Sequence, residues 1–283
     1  DPVVSNQPIV QVKRLGIAPT LQEGGVEYSV NGKTWNALEE KTNLKEDMQI
    51  RTGADGRVVL TLDDGSALRL DRDSSVTLRS LHAKNVQIEN TKGQVYARIV
   101  ASASRTFSVL VGSDRYQAKG TAYRTTNTAE KKGVEVYQST VLAGKETVGE
   151  GNAYFTQTPQ ADQVKKVIAI DLKAMKKDEF IKWNSEQDKK TPEFAAKLGV
   201  LTELDKQPTS QLSGSVSGYS AVLSWTFTDA DTSGGVKIVR STTNSQPVYP
   251  GNDAVLVSGD KTSYTQYFGD GKTYHFRVCA YHD

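Results

Sequence analysis

The chain has 283 residues and a mass of 30.9 kDa, which suits two domains better than one. With 37% hydrophobic and 24% charged residues it can bury apolar cores, so its composition excludes an intrinsically disordered chain. Its 35 basic and 33 acidic side chains leave a net charge of +2, which predicts no nucleic-acid or anionic-membrane partner. Three His and one Cys argue against a closed zinc site, and no apolar run approaches the ~20 residues that span a bilayer. We therefore predict no metal, no cofactor and no transmembrane segment.

The first residue is Asp1, and no charged and then apolar leader precedes the first β-prone segment. An exported chain whose signal peptide has been removed and a trimmed chain both fit this start. The single cysteine, Cys279, excludes an internal disulfide and leaves the redox compartment open. We expect it to be a buried strand residue, with a partner thiol beyond Asp283 as the alternative.

Residues 20–170 are predicted to form a β domain. Apolar and polar residues alternate there in short runs, such as Arg57–Leu62 and Thr106–Val111, as expected of half-buried strands. The runs are separated by residue pairs that favour the positive φ of tight hairpin turns. These pairs are Asn31-Gly32, Asp55-Gly56, Asp64-Gly65, Lys92-Gly93 and Lys132-Gly133. Many short strands with such turns predict a barrel, a sandwich or a β-roll.

The period of the pattern changes over residues 171–205, which are predicted to form a helical connector. Asp171 is a suitable N-cap, and Leu172, Met175, Phe180 and Trp183 fall on one helical face. Charges of alternating sign surround this stripe, as on a solvated outer face. We expect a connector that packs on one of the β domains; the alternative is a helix that binds a partner.

Residues 206–211 are polar, contain Pro208 and are predicted to be a linker. Alternation then returns in four runs, Ala221–Phe227, Val236–Arg240, Ala254–Val257 and Tyr274–Ala280. Residues 212–283 are therefore predicted to form a second, smaller β domain.

A series of glycine and apolar motifs runs in fixed order through residues 20–145. They are Gly25-Val26-Glu27-Tyr28, Trp35, Ile50-Arg51-Thr52-Gly53, Leu60-Thr61-Leu62-Asp63-Asp64-Gly65-Ser66, Arg69-Leu70, Gly93-Gln94-Val95-Tyr96, Phe107-Ser108-Val109, Gly120-Thr121-Ala122-Tyr123 and Val134-Glu135-Val136-Tyr137. In order and spacing they resemble the FecR-type domain of bacterial envelope proteins. The resemblance implies a β-roll or barrel in which the motif is mainly structural, with glycines at strand reversals.

FecR-type domains are known for a place outside the cytoplasmic membrane, where signalling members pass a transport signal inward to a sigma factor. That role also uses a transmembrane helix and a cytoplasmic segment, which this sequence does not show. Some signalling relatives are thought to cleave themselves at a Gly-Thr bond, which Gly120-Thr121 resembles. The Thr121 hydroxyl would attack the preceding carbonyl, and water would open the resulting ester. The alternative is structural: a glycine required by a tight bend before a strand.

The C-terminal domain resembles, more partially, a fibronectin type III-like sandwich within the immunoglobulin-like class. Trp225 fits the buried tryptophan of an early strand, and residues 271–280 fit the penultimate strand, with Tyr274 as its corner tyrosine. Only Tyr281-His282-Asp283 follows Ala280, too few residues for a final strand. We therefore expect an apolar groove and an unpaired strand edge.

Three explanations for the absent strand stay open. They are a trimmed end, an edge covered by the helices of residues 171–205, and strand donation by a neighbouring molecule. The donor would come from the N-terminal segment, residues 1–19, and a head-to-tail contact of this kind builds filaments. The residues assigned to self-association are Pro8, Ile9, Val10, Gln11 and Val12 of the donor and Tyr274, Phe276, Val278 and Ala280 of the acceptor edge.

None of the candidate catalytic or metal-binding motifs in the sequence is complete. The segment that starts at Asp229 opens like an EF-hand loop, but Arg240 occupies the position of the bidentate Glu. Asp63, Asp64, Asp71 and Asp73 are better interpreted as solvated acids near turns, and His82 and His275 have no predicted nucleophile nearby. We predict an exported, non-enzymatic, mostly β protein of the cell surface that binds a protein partner or itself. The alternative is a FecR-type signalling sensor that acts through Leu60–Leu70 and Gly120–Tyr123.

Overall fold

The structure is a computed structural model that describes residues 13–281. Pro8–Val12, the predicted donor segment, therefore lie outside the described residues. The chain divides into two compact units at residues 204 and 205. Both units are built largely from β-strands, as the sequence predicts.

Over its described residues, 13–204, the first unit contains sixteen strands and three α-helices. The strands are β1 Ile17–Glu23, β2 Val26–Ser29, β3 Asn36–Ala37, β4 Gln49–Thr52, β5 Arg57–Leu62, β6 Ala67–Leu70, β7 Ser75–His82, β8 Asn85–Arg98, β9 Thr106–Val111, β10 Asp114–Ala118, β11 Ala122–Asn127, β12 Lys132–Gln138, β13 Thr140–Ala143, β14 Glu146–Gly149, β15 Asn152–Gln157 and β16 Val167–Ala169. The helices are α1 Leu172–Lys177, α2 Glu179–Lys189 and α3 Pro192–Ala195, and short 3-10 segments lie at Ala161–Gln163 and Gly199–Asp205.

The sixteen strands form one continuous sheet that bends over at β8. The first half of β8 pairs with β7 and runs parallel to β9, whereas its second half pairs with β6 and β11. Gly93 lies at the bend with a φ of +81°, and a Cβ atom there would meet Ser74 Oγ at 2.3 Å. The prediction that Lys92-Gly93 reverses the chain is therefore wrong, because its glycine bends a strand instead. Asp64-Gly65 does join two paired strands, β5 and β6.

The two halves of the sheet face each other and share one apolar core. Ile50, Leu78 and Ile88 come from the half that contains β4 and β7, and Leu60 and Val136 come from the other half. Alternating residues of each strand point into this space, which is why the period-two runs locate the strands. The result is the β-roll that the sequence predicts.

The helices pack on the outer face of the β5-β6-β8-β11-β12 half. Asp171 caps α1 by accepting hydrogen bonds from the backbone N–H groups of Lys173 and Ala174 at 2.9 and 3.1 Å. Asp178 ends α1 and caps α2, so the predicted stripe belongs to two helices. Met175 and Phe180 are buried as expected, but Leu172 is 39% exposed because it lies in the first, outward-facing turn.

The second unit is a sandwich of two three-stranded sheets. Its strands are β17 Thr209–Ser217, β18 Ser220–Thr228, β19 Gly235–Ser241, β20 Asp253–Val257, β21 Ser263–Tyr267 and β22 His275–Tyr281. One sheet has the order β17-β18-β21 and the other β20-β19-β22. Trp225 is buried between them with Leu223, Val236, Ile238 and Val278. The sandwich is confirmed, and its fibronectin type III assignment stays a prediction. Strand β17 already begins at Thr209, within the range predicted as linker.

Candidate functional sites

The Gly120-Thr121 bond lies between β10 and β11, beside a surface depression of about 380 Å³. Thr121 is only 1% exposed, and its N–H and C=O both pair with the backbone of Ile99. Its hydroxyl donates to the carbonyl oxygen of Thr140 at 2.9 Å. A Cβ atom on Gly120 would lie 2.6 Å from the Cα of Ala101, so this position requires glycine for close packing. Packing at Gly120 and the hydrogen bonds of Thr121 give this dipeptide a structural role. Self-cleavage at the bond stays a prediction.

The outer face of the sheet beneath the helices carries a row of polar and charged side chains. Cross-strand register places Arg69 of β6 beside Tyr96 of β8, Tyr96 beside Arg124 of β11, and Arg124 beside Glu135 of β12. All four residues are buried, because α1–α3 and the following 3-10 segment cover this face. Burying a charged group costs free energy unless a partner lies beside it, so each of the charged side chains on this face requires one.

The helix α2 supplies one carboxylate, Asp188, at the centre of the row. Arg69 Nη1 lies 2.6 Å from Asp188 Oδ1, and Tyr96 donates its hydroxyl proton to Asp188 Oδ2 at 2.7 Å. A second arginine, Arg98 of β8, places Nε 3.4 Å from the same carboxylate and donates from Nη2 to the carbonyl of Lys197 at 2.8 Å. The carboxylate therefore joins the helices to two neighbouring strands by two ion pairs and by the hydrogen bond from Tyr96.

A second ion group lies at the start of α2. Arg124 donates from Nε to Glu135 Oε2 at 2.7 Å and pairs through Nη1 with Asp178, the N-cap of α2. Burial acts to raise the pKa of Glu135, but the charges of Arg124 and Lys131, together with the hydrogen bonds that both donate to it, lower that pKa overall. Burial and the negative charge of Asp188 raise the pKa of Tyr96 well above its usual value. Glu135 is thus ionised and Tyr96 neutral at physiological pH.

The third candidate site is the edge of β22 in the second unit. Phe276, Val278 and Ala280 oppose Arg240, Ile238 and Val236 of β19 and so face the sandwich interior. Within residues 13–281, β22 is hydrogen-bonded to β19 alone, so its other edge is unpaired there. Tyr274 precedes the strand and donates its hydroxyl proton to Asp270 at 2.7 Å, and its ring stacks on Phe276. The structure thus brings the four predicted acceptor residues together along one edge.

Four of the remaining titratable candidates have ordinary structural partners. Asp71 pairs with Arg57, Asp64 pairs with Arg105, and Asp63 accepts the N–H of Gly16. His82 Nδ1 accepts the N–H of Lys84 at 3.1 Å, which fits a turn residue. Among the described residues, no three His, Cys, Asp or Glu side chains gather closely enough to hold a metal ion. No helix over residues 13–281 is long and apolar enough to cross a membrane.

Sequence reasoning missed the buried arginines, which an alternating pattern assigns to a solvated face. One signal was available: Phe180, Asn184 and Asp188 recur every four residues and share the buried face of α2. A carboxylate on the covered side of a helix requires cationic partners. Arg69, within the apolar strand β6, and Arg98, at the end of β8, supply them.

Comparison with known proteins gives a family match and similar solved structures. The FecR protein family matches residues 48–142, from the start of β4 to β13. No curated protein matches the chain. Two crystal structures of a candidate anti-sigma factor from Parabacteroides distasonis ATCC 8503, at 1.65 and 2.50 Å resolution, are each 12% identical with a TM-score of 0.37. The similarity covers 44% of this chain and 59% of that protein, less than two thirds of its length. The match to the FecR family thus covers less than half of the chain and falls on the centre of the first unit.

Proposed function

We propose that this chain is the extracytoplasmic part of a FecR-type envelope signalling regulator, and that it acts by binding a protein rather than by catalysis. The observation that carries the proposal is the match of residues 48–142 to the FecR protein family. Signalling relatives of that family work outside the cytoplasmic membrane. The match favours this role over the filament subunit that the sequence suggested first.

In this proposal a structural role falls to the predicted signalling region, Leu60–Leu70 with Gly120–Tyr123. Leu60, Leu68 and Tyr123 are fully buried, so they are inaccessible to a partner while the domain is folded. Their strands instead carry the arginines that hold the helices. We infer that the intact assembly of β-roll and helices is the signalling unit, and that its covered polar face fixes the helices in one position.

The test is transcript profiling in the source bacterium, with the gene deleted and then restored. We expect the deletion to change a small set of transcripts controlled by one alternative sigma factor, and the wild-type gene to reverse that change. An Asp188→Ala gene should fail to reverse it, because this variant leaves Arg69 and Arg98 buried without their carboxylate.

The matched control is Glu186→Ala on the exposed side of the same helix, which should restore the transcripts. Immunoblots of the envelope fraction check that all forms reach similar levels outside the cytoplasm. A deletion that leaves every sigma-dependent transcript unchanged would contradict the proposal.

A further inference from the structure

The second unit contains an open cavity of about 560 Å³ at one end of its sandwich. It lies where β19 ends, β20 begins and β21 runs into the loop of residues 268–274. Its volume falls within the range of about 300–1,000 Å³ that is typical of ligand pockets. Tyr281 lies opposite Gly235, at the other end of β19, so the cavity is formed by described residues away from that end of the sheet.

Aromatic rings form one side of the cavity. Phe268 packs against Tyr274, with ring centroids 4.2 Å apart, and against Phe276 at 5.9 Å. Tyr267 differs from these rings because it is 68% exposed. A Cβ atom on Gly269 would lie 3.0 Å from ring carbon Cε1 of Tyr267 and from its hydroxyl, so the ring lies against the loop at a residue without a side chain. The cavity therefore offers an aromatic ring that is both held in place and exposed to solvent.

The charged side chains around the cavity balance one another. Arg240 donates from Nε to Asp253 Oδ2 at 2.7 Å and from Nη2 to the same oxygen. Lys272 Nζ lies 3.8 Å from Oδ2 of Asp270, which also accepts the hydroxyl proton of Tyr274 at 2.7 Å. This hydrogen bond from Tyr274 lowers the pKa of Asp270, so the carboxylate is ionised at neutral pH. Each positive group of the lining thus has a negative partner, which favours a neutral ligand over an anion or a cation.

Polar atoms of the lining are placed to exchange hydrogen bonds with hydroxyl groups. Both bonds from Arg240 go to Oδ2 of Asp253, so among the described residues Oδ1 is left to accept from a ligand. Gln266 accepts the hydroxyl proton of Tyr264 at its Oε1, at 2.9 Å, which leaves its amide N–H groups as donors. Such groups beside an aromatic ring match a sugar ring, whose C–H groups stack on an aromatic face while its hydroxyls form hydrogen bonds at the rim.

We propose that this cavity binds a neutral oligosaccharide, with Tyr267 as the stacking ring and Asp253 and Gln266 as hydrogen-bonding groups. Tyr219 is 70% exposed and its ring centroid lies 6.0 Å from that of Tyr267, which extends the exposed aromatic surface beyond one sugar ring. A peptide added as a strand would need a strand edge, whereas this cavity is formed by strand ends and a loop. The inference concerns the second unit and does not depend on the FecR match, which lies in the first.

The test is isothermal titration of the full chain with oligosaccharides of cellulose, starch and chitin, which are neutral, and with oligogalacturonate, which is acidic. We expect a neutral oligosaccharide to bind, and oligogalacturonate to bind more weakly. Tyr267→Ala should weaken the binding by about tenfold, whereas Tyr267→Phe should retain most of it, because stacking uses the ring. The matched control is Leu256→Ala, at a position of β20 that is 54% exposed and lies opposite Lys237, and it should bind as the wild type does.

A second variant tests the charge balance. Asp253→Asn leaves Arg240 without its carboxylate, so it should bind the neutral oligosaccharide less tightly and oligogalacturonate more tightly than the wild type does. An unchanged preference in this variant would overturn the assignment of Asp253. Failure of every neutral oligosaccharide to bind, tighter binding of oligogalacturonate by the wild type, or full binding by Tyr267→Ala would overturn the proposal, as would binding of casein peptides in place of saccharides. These titrations use no transcripts, so this inference and the signalling role fail separately.

Discussion

The two units differ in how the faces of their β-sheets are covered. In the first, the chain covers its own sheet: α1–α3 lie over the polar outer face, and Asp178 and Asp188 supply the charges that Arg69, Arg98 and Arg124 require. In the second, β17 is exposed along its whole length and, within residues 205–281, β22 is paired with β19 alone. The comparison teaches that the first unit covers its charged sheet face with its own helices, whereas the described part of the second unit leaves the inward face of β17 exposed.

The largest loss of stability is expected from a substitution in the ion group beneath the helices of the first unit. Asp188→Ala removes a fully buried carboxylate and leaves Arg69 and Arg98 without their shared partner. We expect the free energy of unfolding of the first unit to fall by about 3–5 kcal/mol. Urea unfolding monitored by circular dichroism measures the change. Glu186→Ala, exposed on the same helix, should cost less than about 0.5 kcal/mol. Similar losses for both variants would show that the ion group is not what holds the helices.

In the second unit, two substitutions compare the stability cost of changing a buried core residue with that of changing an exposed residue of β17. Ile238→Ala in the sandwich core, where the side chain is 1% exposed, should cost about 2–5 kcal/mol. Val216→Ser, at an inward position that is 81% exposed, should change the stability of the monomer by less than about 0.5 kcal/mol. Urea unfolding of each variant beside the wild type makes the comparison. A large loss for Val216→Ser in the monomer would mean that β17 is already covered.

The pH dependence of the first unit is expected to report on Glu135. Its pKa in the folded state lies below the unfolded value of about 4.3, so its ionisation stabilises the fold above that pH. This contribution is lost as the pH falls through the folded-state value. Glu135→Gln should cost about 1–3 kcal/mol near neutral pH, because it removes the charged partner of Arg124. The difference from wild type should shrink on acidification, and a constant difference from neutral pH to about pH 3 would contradict the assignment.

The smallest effect concerns the Gly120-Thr121 bond. Thr121→Val removes the hydrogen bond to the carbonyl of Thr140 and should lower the stability of the first unit by about 1 kcal/mol. Because that hydroxyl is already engaged, we expect intact mass spectrometry to find both the wild-type and the Thr121→Val chains whole. Two wild-type fragments that meet between these residues, and are absent from the variant, would instead establish self-processing.

Much of this architecture could be predicted from the sequence, because alternation and turn residues act locally. The strands of the β-roll, the cap at Asp171 and the burial of Trp225 follow from such rules. The acceptor edge at β22 was predicted from a resemblance and the absence of residues for one more strand. Its donor, Pro8–Val12, lies outside the described residues, and the self-association site as a whole stays a prediction.

The rest could not be predicted because it depends on which element covers which face. An outward arginine such as Arg69 has the same alternating pattern whether water or a helix lies above it. Gly93 shows the same limit, since a positive φ serves a hairpin turn and a bend within a long strand equally well. Only the pairing of β8 with strands of both halves distinguishes the two.

The bend at Gly93 has a consequence for how the first unit opens. Strand β8 is the middle strand of both halves of the sheet, so neither half can separate from the other without breaking it. Backbone amides on both sides of Gly93 should therefore exchange with solvent only through global unfolding, at one common rate. A pulling force applied to either half would meet the same barrier, so the domain would transmit tension as a single mechanical element.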